Sequence, residues 1–580
     1  MTYSHSRVHR RIASAAFGTG MLALLAHWPS AAWSWETAHG PPDNTGFVDV
    51  VTKPADYATK TVGDIGTFAP GAGPVVAPDG TVYLANEQGK LMSFKPDGTP
   101  GWSRTIAAGQ RIVASPAIGS DGSVYVIGVS VSRDHRGGKS VDRVDSYLHV
   151  FNSTGGYFGS TPFPDHNGGG GTTASPNIWR FNGTELIIVP AVYRGSNIHV
   201  HLLAFSTAGA VVLDQLATTI EPRVVAYTDA SAACYVPVVA PFCALMDAAG
   251  FPASDGTEPG RKIKVPPFPG VGVFTNPLGG TPFILLSDRY QDLIGFTLSG
   301  GAFLEAFRLH DEHRYMRSAP AILPDKHAII GVEDFDQDTM LGTGTGGVGF
   351  SGPNLNKLGP VGGLPPIFAT PTRLADGRTV VIGAGGQMVV LNGAAVDKKI
   401  TLHSASFASA SASRTHLFVS TNDAIQTFDP VSLTELSRML WSEGGQSQPA
   451  ISPLGYVYAV AGNALYVFPP SLKQLPPNRV LPQPGATVVS TDTATQDSKP
   501  YKPPLTMSGN RLFACEELDG DDCGKGDYNT IATAFCKKEG FIGAGQIKVD
   551  SKKVKAETLD GRYCSKNKCK VFEQIICANN

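Results

Sequence analysis

Several signatures of chemistry are missing from this 580-residue chain. It has no vicinal cysteine pair, no Cys-x-x-Cys-His, no phosphate-binding P-loop, no Gly-x-Ser-x-Gly, and no dinucleotide fingerprint beyond the bare Gly-x-Gly-x-x-Gly spacing inside the Gly-rich run from Leu341 to Gly349. Those absences leave no sequence motif for a c-type haem, a nucleotide or a serine hydrolase. Charged residues are sparse at 17%, and the formal net charge of −2 names neither nucleic acid nor an anionic surface as partner. After the N-terminal region no segment is apolar enough to span a bilayer. Only two of the eight cysteines, Cys234 and Cys243, precede residue 510.

What is abundant is turn chemistry: 66 glycines and 43 prolines. That balance suits a turn-rich β protein better than a helical one. The first 34 residues read as a bacterial export signal. Arg7, Arg10 and Arg11 precede a small apolar stretch from Ile12 to Ala26, and cleavage after Ala32 or after Ser34 fits the small residues there. The Arg10–Arg11 pair leaves twin-arginine export open beside the general route. The mature protein is therefore expected in the periplasm or outside the cell, without a stable membrane span.

From Gly73 to Trp102 four short apolar segments alternate with Gly-bearing turns, the size of one four-stranded blade. The unit recurs at 114–155, 174–209, 274–300, 318–332, 369–393, 409–430 and 447–470. Phe94, Phe151, Phe205, Phe296, Leu391, Phe428 and Phe468 share one position in the third strand. Large residues in one register pack each sheet on the next, and a closed ring removes exposed edges. The expectation is an all-β closed propeller of about eight blades. Seven is the alternative, because register is lost between Val211 and Pro266. The fifth and seventh units are degenerate, and the Gly-rich run from Leu341 to Gly349 reads as a loop. Thr45–Thr52 is expected to supply the fourth strand that the last unit lacks.

These units, Asp79–Trp102 above all, resemble the quinoprotein alcohol dehydrogenase-like β-propeller, the pyrroloquinoline quinone (PQQ) repeat, over 35–470. The resemblance implies the fold, and it implies either a quinone enzyme or a binding propeller. Enzymes of that family often line the quinone with a vicinal Cys pair and stack a Trp on it. This chain has no such pair, and of its post-signal tryptophans Trp102 and Trp441 read as blade-docking residues, beside Trp35 and Trp179.

Other polar clusters remain. Asp334, Asp336 and Asp338 alternate as carboxylates that wrap a hard cation such as calcium do, though without the glycine and distal glutamate of an EF-hand. His199 and His201 share one strand face, half of a metal site. Asp311 to Arg314 form a charged loop. Asp214–Pro266 interrupts the repeat as an insertion on one rim, with Cys234 and Cys243 expected to pair.

Past Pro470 the composition changes. Residues 471–510 are a Pro/Ser/Thr-rich linker, and 511–580 hold Cys515, Cys523, Cys536, Cys564, Cys569 and Cys577, the pattern of a small disulfide-rich α+β domain of no recognised family. Tyr528–Glu539 is predicted helical, with Ile531, Ala534, Phe535 and Cys536 inward, and the KCKVFEQIIC segment a strand. Asp519, Asp521 and Asp527 form a second candidate calcium loop. Lys552, Lys553, Lys555, Arg562, Lys566, Lys568 and Lys570 make the rest basic.

The functional expectation is an exported binding or scaffold protein for an envelope or extracellular polymer or protein. No cofactor is assigned beyond the candidate calcium. The alternative is a PQQ- and calcium-dependent alcohol or sugar dehydrogenase, whose catalytic and quinone-binding residues the sequence does not single out. A filled channel favours the first, and a convergent polar cluster at the channel mouth favours the second.

Overall fold

The computed structural model describes residues 34–470 except 70, 137–138, 167–169, 195–197, 221–250, 253–261, 264–269, 275–281, 289, 336–341, 352–357, 442–443 and 446. In the tail it describes 498–501, 511–512, 514, 525–538, 543–552, 556–557 and 569–578. Among the described residues of 34–470 the strands build eight blade sheets, one for each repeat unit, in an eight-bladed propeller, and a separate two-stranded ribbon of Phe251–Pro252 and Lys262–Ile263. Blade 1 runs Val75–Val76, Val82–Ala85, Lys90–Phe94, Pro100–Thr105 from the innermost strand outwards. The innermost strands of blades 2 to 8 are Ala117–Ile118, Asn177–Phe181, Val271–Phe274, Ala321–Ile322, Thr372–Arg373, Ser411–Ser413 and Ala450–Ile451.

The middle strands are apolar without alternation because each sheet is covered on both faces. Ile187 and Ile188 are adjacent in blade 3. Ile187 packs with Tyr125, Ile127 and Leu148 of blade 2, whereas Ile188 packs with Ile284, Leu286 and Ile294 of blade 4. The third-strand positions read from the repeat, Phe94 through Phe468, are all buried. Trp102 docks blade 1 on blade 2 as expected, its Nε1 donating to the Ser153 carbonyl at 2.8 Å. Trp441 lies 5.7 Å from the ring of Tyr466 in blade 8.

The repeated Pro-Asp-Gly turns share one geometry. The Asp79 carboxylate accepts from the Thr81 amide at 2.8 Å, and Gly80 takes φ +86°. Blade 5 has Lys326 at that place, with φ +68°.

Two expectations are corrected. The strand that completes blade 8 is Lys60–Val62, paired antiparallel to Ala464–Phe468. Phe47–Val48, within the stretch expected to close the ring, instead pairs parallel to the innermost strand of blade 7. The Gly-rich run in unit five is no loop, because Gly342–Ser351 is the third strand of blade 5. Its glycines are what let the sheet close up: a Cβ on Gly347 would lie 2.0 Å from the Val361 carbonyl oxygen, and one on Gly346 2.3 Å from that of Val332.

In the tail a helix, Lys525–Lys538, accompanies an antiparallel sheet of Ser498–Tyr501, Gly543–Lys552 and Cys569–Ala578. Cys536 is bonded to Cys577. Ile531, Ala532, Phe535 and Cys536 are buried with Phe572 and Ile575. Ala532, not Ala534, faces the core, since 528, 531, 532, 535 make one helical stripe.

Candidate functional site

The channel along the propeller axis is filled by the chain itself. Residues 35–50 form a strap whose backbone carbonyls meet the innermost strands blade by blade. The amides of Val76, Ile118, Val273, Ile322, Arg373 and Ala412 donate to the carbonyls of Trp35, Glu36, Pro42, Asp43, Thr45 and Gly46, at 2.8–2.9 Å. These six donors lie on the innermost strands of blades 1, 2, 4, 5, 6 and 7, each the second residue of its strand except Val273, the third residue of Val271–Phe274. Blade 3 joins through Asn177, whose Nδ2 reaches the Pro42 carbonyl at 2.9 Å. Blade 8 joins through Gln448, 2.7 Å from His39 Nδ1.

Side chains pin the strap. Arg180 Nη1 lies 2.6 Å from Glu36, and Arg180 also holds Glu185. Asn44 Nδ2 donates to the carbonyls of Val271 and Pro320. Trp35 is fully buried. Burial pushes the Asp43 carboxyl up to about 6, against hydrogen bonds from Thr45 and the charge of Arg373. Burial lowers His39 below the usual imidazole value, with Gln448 opposing.

Antiparallel alternation divides the loops between the two ends of the disc. The second-to-third-strand hairpins and the blade-to-blade connections emerge at one rim, and the Asp-Gly turns of the repeat at the other. The hairpin rim is the elaborated one. Blade 2 extends there in Val124–Arg136 and Lys139–Phe151, blade 3 in Thr184–Arg194 and Ile198–Ser206. The insertion departs from the same rim after Ile220 and not at Asp214 as expected, because Val211–Ile220 is the fourth strand of blade 3; Cys234 and Cys243 lie outside the described residues.

Titratable side chains gather at this rim between blades. Asp292 holds Arg308 at 2.7 Å and His310 at 2.6 Å. Behind it Asp288 is buried and its carboxyl is raised to about 7, by burial first and then by the neighbouring Asp292. Arg317 and Glu333 form a buried pair at 2.6 Å, with Arg317 4.7 Å above the Tyr315 ring. His149 sits between Gln110 and Tyr157, and burial lowers it to about 4. His166, His201 and Asp214 converge between blades 2 and 3, each offering a ligand atom within 4.8 Å of the others.

Of the residues singled out from sequence, Asp334 is bound by Arg314 at 2.9 Å and by Thr345 at 3.0 Å. Asp336 and Asp338 lie outside the described residues, as do Asp519, Asp521, Cys515, Cys523 and Cys564. Asp527 falls within the tail helix, and Cys569 begins the last strand. The charged loop is self-bound, Asp311 accepting from the His313 amide and lying 3.6 Å from Arg314. His201 enters the His166–Asp214 group, but His199 is held by Thr219 at 3.1 Å. Sequence reading found His201 and missed His166 and Asp214, which only the passage from blade 2 into blade 3 brings beside it.

No family model matches the chain, and no curated protein does. Among solved structures it is similar to BamB from Moraxella catarrhalis, at 11% identity over 71% of this chain and 99% of that one, with a TM-score of 0.41. It is similar to a europium-containing methanol dehydrogenase, at 10% identity over 76% and 98%, TM-score 0.40. A third is the quinohemoprotein alcohol dehydrogenase from Comamonas testosteroni, at 11% identity over 80% and 84%, TM-score 0.41. The blade count rests on the strand pairing of this chain and not on these likenesses. Among the described residues no helix is long and apolar enough to cross a membrane.

Proposed function

We propose that the chain is an exported binding scaffold that presents the hairpin rim of a closed propeller, with a tethered Cys-rich module, to a protein or polymer of the cell envelope or its surroundings. The observation that carries this reading is the strap. A quinone seated on the axis at the level of these bonds would have to displace residues 35–46 and strip six inner-strand amides of their acceptors. Leaving a buried amide unpaired costs about 1–3 kcal/mol each. The residues at that level therefore do not fit a quinone, which supports the scaffold reading, and no step of chemistry is derived through one.

The strap also explains why the channel adds no reactive constellation. Its polar contacts are carbonyls bound to amides, an asparagine on carbonyls and an ion pair, while the buried Trp35 Nε1 is left without a hydrogen-bond partner. The rim opposite the Asp-Gly turns carries the extended strands of blades 2 and 3, and it is the surface offered to a partner in this reading. Linked modules gain affinity when both engage one surface; the tether for the tail is the stretch before Ser498, shorter than the 471–510 linker expected, because Ser498–Tyr501 pairs with Cys569–Ala578 in the tail sheet.

Native mass spectrometry of the mature chain, incubated with PQQ and calcium, tests the exclusion. A mass without quinone supports the scaffold reading, and a retained quinone contradicts it. In-cell crosslinking tests the binding side. Deleting 221–266 or the tail 511–580 should remove specific crosslinked partners that the full chain captures. Crosslinks that survive both deletions unchanged would contradict the two-module reading.

A further inference from the structure

We infer that His166, His201 and Asp214 form a binding site for a divalent transition metal of the zinc class, between blades 2 and 3 at the hairpin rim. The three residues come from separate elements. His166 lies on the connection that carries the chain from the outer strand of blade 2 to blade 3. His201 is on the third strand of blade 3 and Asp214 on the fourth. One carboxylate serves both imidazoles: Asp214 Oδ2 is 2.6 Å from His166 Nε2, and Oδ1 is 2.6 Å from His201 Nδ1. The imidazole rings are 4.3 Å apart, centroid to centroid.

Two imidazoles and one carboxylate are a donor set for zinc or a neighbouring first-row metal, and three protein ligands leave a coordination position open. Metal–ligand distances of about 2.0–2.2 Å require the three donor atoms to sit close together around one point. The group is already gathered to within 4.8 Å. His201 is buried, whereas His166 and Asp214 are reached from the surface, so a metal has an entry path.

Tyr193 supplies a second, independent feature. Its ring meets both imidazoles edge-on, 4.5 Å from His166 and 4.7 Å from His201, and so fixes their planes. It is wholly buried, and its hydroxyl has no hydrogen-bond partner. A metal-bound water within reach of this hydroxyl would supply the partner it lacks. The site belongs to the rim and not to the axis, so it stands or falls separately from the scaffold reading.

The test is a cobalt(II) titration of the full mature chain, purified without a polyhistidine tag, followed by its visible ligand-field absorption and by displacement with zinc. The expected result is one tight equivalent in the wild type, with affinity reduced at least about tenfold by His166→Gln and by Asp214→Asn. His166 is on an exposed connection, so its variant keeps the fold, and an unchanged melting temperature checks this. Tyr193→Phe should keep the one-equivalent stoichiometry, because it removes no ligand. No uptake by the wild type, or equal uptake by the wild type and His166→Gln, would overturn the inference.

Discussion

The Ala412 amide donates to the Gly46 carbonyl at 2.8 Å, and Gly46 has no room for a side chain of its own. It takes φ +60°, and a Cβ there would stand 3.0 Å from both Gln448 Nε2 and Thr372 Oγ1. Gly46→Val should therefore destabilise the protein by about 2–4 kcal/mol, from backbone strain and overpacking together. Chemical denaturation should show it as a lower midpoint with an unchanged slope. A variant as stable as the wild type would mean that the strap does not sit where it is described.

Lys326 offers the opposite experiment. It occupies the turn position that Gly80, Gly122 and Gly377 fill in blades 1, 2 and 6, all with positive φ. Its amide makes the same bond, to the Leu323 carbonyl at 2.9 Å. Left-handed backbone costs a side-chain-bearing residue about 1–2 kcal/mol, while glycine adopts it freely, offset in part by glycine's greater freedom when unfolded. Lys326→Gly should raise stability by about 0.5–1 kcal/mol by the same two principles, read as a rise in melting temperature.

Asp43 sets a pH dependence. Its carboxyl is raised by burial to about 6 in the folded protein. The folded state therefore holds a proton that the unfolded state has already released between about pH 4 and 6. Stability from this group is highest below pH 4 and falls as pH rises through 6, after which it is constant. Asp43→Asn keeps an acceptor for Thr45 and removes the titration. Relative to that variant, the wild type should lose about 1–3 kcal/mol between pH 4 and pH 7, the lower end allowing for the residue's partial contact with water. Parallel curves for the two proteins would exclude the effect.

The repeat was legible because its turns and its third-strand aromatics recur in register, and the same residues, Asp79–Gly80 and Phe94 among them, make the contacts expected. Blade 5 was obscured where Gly342–Ser351 replaces bulky strand residues with glycines that serve close approach of the backbone. The strap was illegible for a different reason. Its contacts with the blades run mainly through carbonyls, which leave no mark on side-chain patterning, so Thr45–Thr52 read as an ordinary edge strand. The ring closes instead through Lys60–Val62, a three-residue strand too short to show periodicity. His166 and Asp214 carry no spacing motif with His201, because their meeting depends on how one blade follows another.

The most direct test of the filled channel is hydrogen–deuterium exchange at the innermost strands. The account predicts that peptides carrying the Val76, Ile118, Val273, Ile322, Arg373 and Ala412 amides exchange slowly, and that removing residues 35–50 exposes all six together. Fast exchange at these amides in the intact protein would contradict it, leaving the axis open and the binding-scaffold reading without its main support.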